Sequence, residues 1–411
     1  MTEPATTDVA GPPAGLRPHA WLPVAATMFA IGWGANQFVS LLVAYRERSG
    51  FSVGTVDALV GAYALGLIPA LLVLGPVSDR RGRTSVLRVA ALLSLVATAV
   101  LMVGDLWALY AGRLLAGLAS GAAFAAGSAW VEELSSGEWD PRARPGAGAR
   151  RAAMALTAGF CLGPVVAGLI AQWAPAPLIT AYVPHLLVVL AVLVPLWRAP
   201  ETVPAAGRTP GSALAGLRVH SATDPRFLRT VAPVAPWVFA AATTSIAVLP
   251  GLVNATTEGW TVAFNAAVAC ITLGTVFAVQ PLGRRLAARS PRRGVTVGLI
   301  ALVAGFGTAA AAAATFWPAL VVLAAVLLGT GYGFCLVAGL LQTQRIAPAG
   351  ELAGLTAVYY ALTYAGFAAP VLLALLAAVV PYPALLLGLA GLVAVTLVAV
   401  LAGWRRTLSA R

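Results

Sequence analysis

The sequence is poor in charged residues, contains few cysteines and has no lysine. Charged residues make up 10% of the 411 positions and hydrophobic residues 60%, whereas a typical soluble domain is about 25% charged. This composition excludes an ordinary soluble globular protein. Without lysine no G-x-x-x-x-G-K-[ST] phosphate loop is possible, which excludes an ATP-driven pump of that type. Cys161, Cys270 and Cys335 are scattered through apolar runs, so they indicate neither a disulfide framework nor a metal site.

Long apolar runs separated by short polar segments fill most of the chain. A membrane-spanning helix needs about 20 such residues, and the runs between Trp21 and Trp404 accommodate twelve helices. All 26 basic residues are arginine; with both termini inside, 23 of them lie in inner segments, Arg46 and Arg48 lie outside, and Arg113 lies within a helix. The positive-inside rule requires such an asymmetry. We therefore predict a multi-pass protein of a bacterial plasma (inner) membrane with cytoplasmic termini.

The net charge of +12 is spread over short loops between the apolar runs. That distribution fits contact with a lipid bilayer and argues against a nucleic-acid partner. The sequence thus predicts an all-α polytopic membrane protein.

One shift in composition divides the chain into two halves. Residues 198–229 are rich in Arg, Pro, Gly, Ser and Thr and cannot cross a membrane. The predicted organisation is a disordered N-terminal tail (1–20), a six-helix bundle (21–197), a cytoplasmic linker (198–229), a second six-helix bundle (230–404) and a C-terminal tail (405–411). The halves also share a pattern, because residues 157–160 (TAGF) and 364–367 (YAGF) are each followed by a Pro-Val pair in helices 5 and 11.

A charged segment, GPVSDRRGRT at 75–84, separates two apolar runs. We expect a turn at the cytoplasmic surface, because a charge at the bilayer centre costs about 2.5–3.5 kcal/mol on insertion scales. The segment resembles the loop 2–3 signature of the major facilitator superfamily of secondary transporters, G-x-x-x-D-R-x-G-R, with matching positions Gly75, Asp79, Arg80, Gly82 and Arg83. The resemblance implies twelve transmembrane helices in two pseudo-symmetric bundles and an inner gate formed by the Asp and Arg. The alternative is a charged loop that only sets the topology.

The second half has a basic inner loop, 283–293, where a second copy of this segment is expected. It contains Gly283, Arg284 and Arg285 but has lost the Asp and the second Gly.

A charge within helix 4 is the strongest single indication of function. Arg113 is followed on the same face by Gly117 and Gly121, and a charge inside a membrane helix is expensive. The pattern resembles the superfamily's helix 4 signature, in which the Arg is implicated in proton or substrate coupling. The alternative is an Arg that snorkels to the outer interface. Asp57 and His185 are further coupling candidates, although a lone His in helix 6 is more often a packed residue.

Helix 5 carries a second motif, formed by Gly159, Gly163, Pro164 and Gly168. It resembles the helix 5 signature of the superfamily's drug:proton antiporters, except that Ala167 replaces a Gly. The glycines permit a close helix crossing and the Pro sets a kink. Plain helix packing is the alternative reading.

Helices 1, 4, 7 and 10 line the substrate cavity in this superfamily. The resemblance therefore implies a cavity, completed by helix 11, that includes Asn36, Gln37, Phe124, Trp237, Tyr332 and Tyr360. Aromatic rings and amides with little charge suit an amphipathic neutral or cationic small molecule.

The favoured function is transport, with no enzymatic activity, cofactor or metal. We expect a monomeric, proton-coupled antiporter that exports drugs or small organic metabolites by alternating access and so contributes to drug resistance. A facilitator or symporter that imports a small solute, such as a sugar or an organic acid, is the first alternative, because no acid lies well inside a helix. A non-transporting membrane scaffold or sensor is the second, although it gives no reason for Arg113.

Overall fold

The computed structural model describes residues 19–136, 139–144, 146–203, 219–348 and 351–408. Within these ranges the chain is helical, without β-strands, and twelve segments are long and apolar enough to cross a membrane. They are α1 (Trp21–Ser49), α2 (Val53–Arg81), α3 (Arg83–Leu101), α4 (Leu106–Glu133), α5 (Ala147–Trp173), α6 (Pro177–Trp197), α7 (Pro225–Leu252), α8 (Thr261–Ala287), α9 (Arg292–Thr315), α10 (Pro318–Ile346), α11 (Gly354–Leu376) and α12 (Tyr382–Arg405). The predicted fold class is confirmed.

The two halves pack by equivalent helix pairs. In the first bundle α2 packs against α4 and α1 against α5, and in the second α8 packs against α10 and α7 against α11. Small residues make the crossings close. A Cβ atom on Gly117 of α4 would lie 2.1 Å from the carbonyl oxygen of Tyr63 on α2. Because lipid gives no hydrophobic drive for helix association, such close packing is a main source of stability within a membrane.

The two ends of the molecule differ in charge. We call the end that carries the α2–α3, α4–α5 and α8–α9 connections the Arg-rich end, and the opposite end the Arg-poor end. Two side chains join the bundles near the Arg-poor end: Asn265 donates to the carbonyl of Val39 (3.2 Å), and Gln172 donates to that of Gly259 (3.0 Å). The bundles are therefore in contact at the Arg-poor end.

The helices at the Arg-rich end are longer than predicted. Residues 75–81, predicted as a turn, are helical, and Gly82 with φ 100° is the single residue between α2 and α3. The helix that contains α8 likewise runs to Arg289, and the next begins at Pro291, so most of the predicted loop 283–293 is helical. Arg is a good helix former, and a helix does not have to end where its apolar run leaves the bilayer.

The structure describes only parts of the predicted linker and tails. Residues 1–18 of the predicted N-terminal tail, 204–218 of the linker and 409–411 of the C-terminal tail lie outside the described residues. In the described part of the linker, His220–Thr223 forms one 3₁₀ turn and α7 begins at Pro225. The last helix continues through the start of the predicted C-terminal tail to Leu408.

Candidate functional site

A cavity of about 700 Å³ lies between the two bundles. Its inner part is lined by aromatic rings from both halves: Phe124, Phe160, Phe239, Tyr332, Tyr360 and Tyr364. The rings contact one another across the bundle boundary, since Phe124 of α4 lies 6.3 Å from Tyr360 of α11, measured between ring centroids. Lining residues continue to Glu132, Arg284 and Gln344 at the Arg-rich end. Together with the bundle contacts near the other end, this places the molecule in a conformation that is open at the Arg-rich end.

The cavity is mostly apolar, with polar groups concentrated near its mouth. Among the described residues that line it, Glu132 of α4 and Arg284 of α8 are the two charged ones. Gln280 and Gln344 add amides on the second bundle. An apolar, aromatic interior with a few polar groups is the usual form of a small-molecule site.

Half of the predicted cavity residues line this cavity. Phe124, Tyr332 and Tyr360 do. Trp237 does not, because it faces away toward α12, where its indole N–H donates to Thr396 (3.0 Å). Asn36 and Gln37 also lie outside the lining.

Arg113 is buried between helices of the first bundle, away from the cavity. Its side chain is 1% exposed. The Nε atom donates to the carbonyl of Leu59 on α2 (3.1 Å) and Nη1 donates to that of Ala35 on α1 (2.9 Å). The guanidinium lies between the rings of Phe38 and Tyr63, 4.8 and 4.7 Å from their centroids. The predicted snorkelling alternative is wrong, since the side chain points into the bundle, and it ties α4 to both α1 and α2.

His185 is also buried, in a hydrogen-bonded chain that joins α6, α3 and α1. Its Nε2 lies 3.0 Å from the carbonyl oxygen of Ala30, and its Nδ1 lies 2.8 Å from the hydroxyl of Thr98. Since the carbonyl can only accept, Nε2 carries the proton and Nδ1 accepts from the hydroxyl. The amide of Gln37 donates to the same hydroxyl (3.1 Å), which explains why this residue faces α3 instead of the cavity. The packed interpretation of His185 therefore describes its position.

The helix 5 glycines lie at two different contacts. A Cβ on Gly159 would lie 2.2 Å from the carbonyl oxygen of Phe29, and one on Gly163 would lie 2.6 Å from that of Trp33, so both sit against α1. The Ser40 hydroxyl of α1 donates to the carbonyl of Pro164 (2.7 Å). Gly168 instead faces the second bundle, where its Cβ would lie 2.4 Å from the Cβ of Ala266 on α8. The motif thus serves close packing, and its last glycine lies at the boundary between the bundles.

Asp79 and Arg83 form an ion pair within the first bundle. Arg83 contacts Asp79 (2.5 Å) and also Glu133 at the end of α4 (2.7 Å). It donates a further hydrogen bond to Ser78 (3.2 Å). Glu133 thus pairs with Arg83, whereas Arg151 at the start of α5 pairs with Asp140 (2.9 Å). The network joins α2, α3 and α4 and makes no bridge to the second bundle among the residues the structure describes.

The remaining positions of the charged segment differ in their surroundings. Gly82 provides the positive φ that separates the helices. A Cβ on Gly75 would meet Ala125 at an ordinary 3.6 Å. The Nη1 atom of Arg80 is buried without a hydrogen-bond partner within the described chain.

Glu201, which follows α6, caps the start of α3. It accepts from the backbone N–H groups of Arg83 (3.0 Å) and Thr84 (3.1 Å), and from the Thr84 hydroxyl (2.7 Å). Partial burial by itself raises the pKa of Glu201, but the hydrogen bonds from Thr84, Val203 and Arg83 outweigh it and hold the pKa below its ordinary value. A carboxylate at a helix N-terminus is also favoured by the helix dipole.

Asp57 lies at the Arg-poor end, away from the cavity. It is 3% exposed, and its Oδ2 atom has no hydrogen-bond partner among the described residues. Arg46 interacts with it electrostatically. The Nη1 atom of Arg46 reaches α7 in the second bundle, where it lies 2.6 Å from the position of a Cβ on Gly251.

Sequence reasoning missed several lining residues, above all Phe239, Glu132 and Arg284. Arg284 was predicted only as a residue of the basic inner loop, 283–293. The position of Arg284 relative to a helix proline could have identified it from the sequence. Arg284 stands three residues after Pro281, as Asp79 stands three residues after Pro76, and both prolines lie inside helices.

Comparison with known proteins gives one family and many similar folds. A family model described as Major Facilitator Superfamily matches residues 24–371. The nucleoside transporter NupG has a TM-score of 0.72 at 12% identity, over 94% of this chain and 99% of that chain. A mutant of the peptide transporter POT in complex with alafosfalin has a TM-score of 0.75 at 17% identity, over 95% of both chains. A POT family transporter in complex with a thioalcohol conjugated peptide has a TM-score of 0.75 at 13% identity, over 94% of this chain and 96% of that chain. At these identities the likeness to solved structures shows the fold alone.

Proposed function

The chain belongs to the major facilitator superfamily of transporters, and we propose that it exports amphipathic organic molecules in exchange for protons by alternating access. The observation that carries this proposal is the aromatic cavity between the bundles, which extends to the Arg-rich end. Its volume of about 700 Å³ suits a drug-sized molecule. Its rings offer large apolar contact surfaces and faces that attract cations.

The contacts between the bundles support a rocking motion about the cavity. Asn265 and Gln172 hold the Arg-poor end together through hydrogen bonds to backbone carbonyls. Opening that end requires these bonds to break while the Arg-rich mouth closes. Two six-helix bundles that rock about a mid-membrane site are the arrangement expected for such a cycle.

We assign a gating role to Asp79 and Arg83 and a coupling role to Arg113. The ion pairs of Arg83 hold α2, α3 and α4 as one unit, so the gate acts by keeping the first bundle rigid as it moves. Arg113 links α4 to the carbonyls of α1 and α2, so a displacement at either helix reaches the cavity-lining face of α4. Asp57 and His185 remain secondary coupling candidates.

The distribution of Arg supports a cytoplasmic location for the Arg-rich end, in a bacterial plasma membrane, with both termini cytoplasmic. The cavity then opens to the cytoplasm, where an exporter loads its substrate. A reporter fused after Arg208 should read cytoplasmic, and one placed in 254–259 should read external. The reverse pair of readings would contradict this orientation.

A facilitator or importer is the second candidate, favoured by one observation. Among described lining residues the single carboxylate, Glu132, lies near the mouth, and the aromatic part of the cavity has none. A facilitator needs no proton-binding group at the site.

The test is flux in proteoliposomes, measured with and without an imposed pH gradient. A panel of fluorescent aromatic amphiphiles serves as trial substrates, and empty liposomes provide the control. Antiport predicts accumulation against the concentration gradient that disappears when the pH gradient is collapsed. Downhill flux that ignores the pH gradient would exclude the antiporter and support the facilitator. Absence of flux for every compound would contradict both.

A further inference from the structure

The two charges that line the cavity stand on opposite bundles. Glu132 is on α4 of the first bundle and Arg284 is on α8 of the second. Neither forms an ion pair or a side-chain hydrogen bond within the described residues. Glu133, which follows Glu132 in the chain, differs because it pairs with Arg83. The Arg-rich end therefore satisfies some of its charges locally and leaves these two facing the cavity.

The internal repeat shows that Arg284 differs from its counterpart. Asp79, at the equivalent distance from its helix proline, is held by Arg83 on the next helix. The corresponding α8–α9 region, 284–293, contains five Arg and no acid, so Arg284 has no carboxylate on its own connection.

Glu132 has its own local arrangement. A Cβ on Gly148 would lie 2.4 Å from both the backbone Cα and the Oε2 atom of Glu132. The glycine therefore lets α5 approach α4 closely at this point and leaves room for the carboxylate at the cavity wall.

Closure of the mouth changes the surroundings of both charges. Each is exposed to solvent in the present conformation. When the bundles approach, an unpaired charge between apolar walls is strongly disfavoured, whereas a charge paired with an opposite group is tolerated. The cavity wall holds one charge of each sign, so a ligand with both a cationic and an anionic group satisfies the two at once. A singly charged ligand that lies between them and keeps them apart pairs with only one of the two.

We propose that Glu132 and Arg284 are specificity-determining residues that select zwitterionic organic molecules with an aromatic or apolar body. Glu132 accepts from the cationic group of the ligand, Arg284 donates to its anionic group, and the aromatic rings contact its body. This proposal rests on the proposed transport function and narrows its substrate class.

The experiment measures binding to the full-length purified protein by calorimetry, with four compounds of one skeleton. These are the dipeptide Phe-Phe (zwitterion), its C-terminal amide (cation), its N-acetyl form (anion) and its N-acetyl amide (neutral). Wild type should bind the zwitterion at least about tenfold more tightly than the other three. Glu132→Gln should lose that preference and favour the anion. Arg284→Gln should lose it and favour the cation.

Two further variants distinguish recognition of the ligand's charges from structural damage to the protein. Arg285→Gln, beside the cavity residue but outside the lining, should leave all four affinities unchanged. The exchange Glu132→Arg with Arg284→Glu keeps one charge of each sign, so it should restore the preference for the zwitterion that either neutralised variant loses.

The outcomes decide between support and rejection. Opposite shifts in the two neutralised variants, with an unchanged control, support the proposal. The same order of affinities in wild type and both variants would overturn it, and so would failure of wild type to bind any of the four compounds. Charge-selective binding without flux in proteoliposomes would overturn the proposed transport function but would still support ligand recognition by Glu132 and Arg284.

Discussion

Gly168 lies where α5 meets the second bundle, and its replacement by alanine is expected to change which end of the protein is open. A Cβ at this position would lie 2.4 Å from the Cβ of Ala266 and 3.2 Å from that of Ser40. Favourable contact between carbon atoms is at about 3.5–4.0 Å, so α5 and α8 must move apart by roughly 1 Å. Because the contact is at the Arg-poor side of the cavity, the separation favours opening of that end.

The size of the effect follows from the cost of overpacking. An added methyl group in a packed interior costs about 1–3 kcal/mol. The substitution destabilises the conformation in which α5 and α8 touch at Gly168. The conformation that is open at the Arg-poor end lacks this contact and is not destabilised. The ratio of the two populations should therefore shift about 5- to 150-fold.

A distance measurement across the mouth tests this shift. Spin labels on Ala149→Cys (α5) and Gln344→Cys (α10), both lining positions, report the opening of the Arg-rich end in a background with the native cysteines replaced by alanine. Gly168→Ala should populate a shorter distance than the unsubstituted background. Gly274→Ala on α8 is the matched control, because its Cβ meets nothing within 4 Å. Identical distance distributions for these two glycine variants would contradict the predicted shift in population.

Three further predictions concern the cavity, the buried arginine and the cap of α3. Phe239→Leu should lower flux at least about tenfold, whereas Trp237→Phe, two residues away but outside the lining, should retain most of it; equal losses would contradict the placement of the cavity. Arg113→Lys keeps the charge but replaces the separate Nε and Nη1 donors with a single ammonium nitrogen, which cannot hold both carbonyls in the same geometry. Flux per protein in the membrane should therefore fall, and wild-type flux would show that charge alone suffices. Glu201→Gln should lower the thermal midpoint of the purified protein at pH 7. Because the pKa of Glu201 is lower in the folded protein, its stabilisation is present above the unfolded pKa of about 4.3 and is lost as pH falls through the folded value. The difference between wild type and variant should therefore shrink as the pH falls below about 4.3, and a constant difference from pH 7 down to pH 3 would count against a role for the charge.

The sequence predicted the helices well and their ends poorly, for a physical reason. The length of an apolar run matches the thickness of the hydrocarbon layer, so twelve runs predict twelve membrane crossings. The length of the run does not give the length of the helix, because the helix continues into the interfacial region wherever backbone geometry allows. The charged segment 75–81 continues α2 by about two turns. A single glycine at position 82, with φ 100°, then separates α2 from α3.

The site was predicted in part, because residue type is readable from sequence and helix rotation is not. A soluble helix reveals its buried face by an apolar stripe, but a membrane helix is apolar on every side. Trp237 and Phe239 are two positions apart on α7, about 200° around the helix axis, so one faces α12 and the other the cavity. Glu132 and Glu133 are separated by about 100°. That rotation places Glu133 in the ion-pair network of Arg83 and turns Glu132 to the cavity wall. Adjacent residues of the same type thus have different chemistry: one stabilises the first bundle, and the other is left available for a ligand.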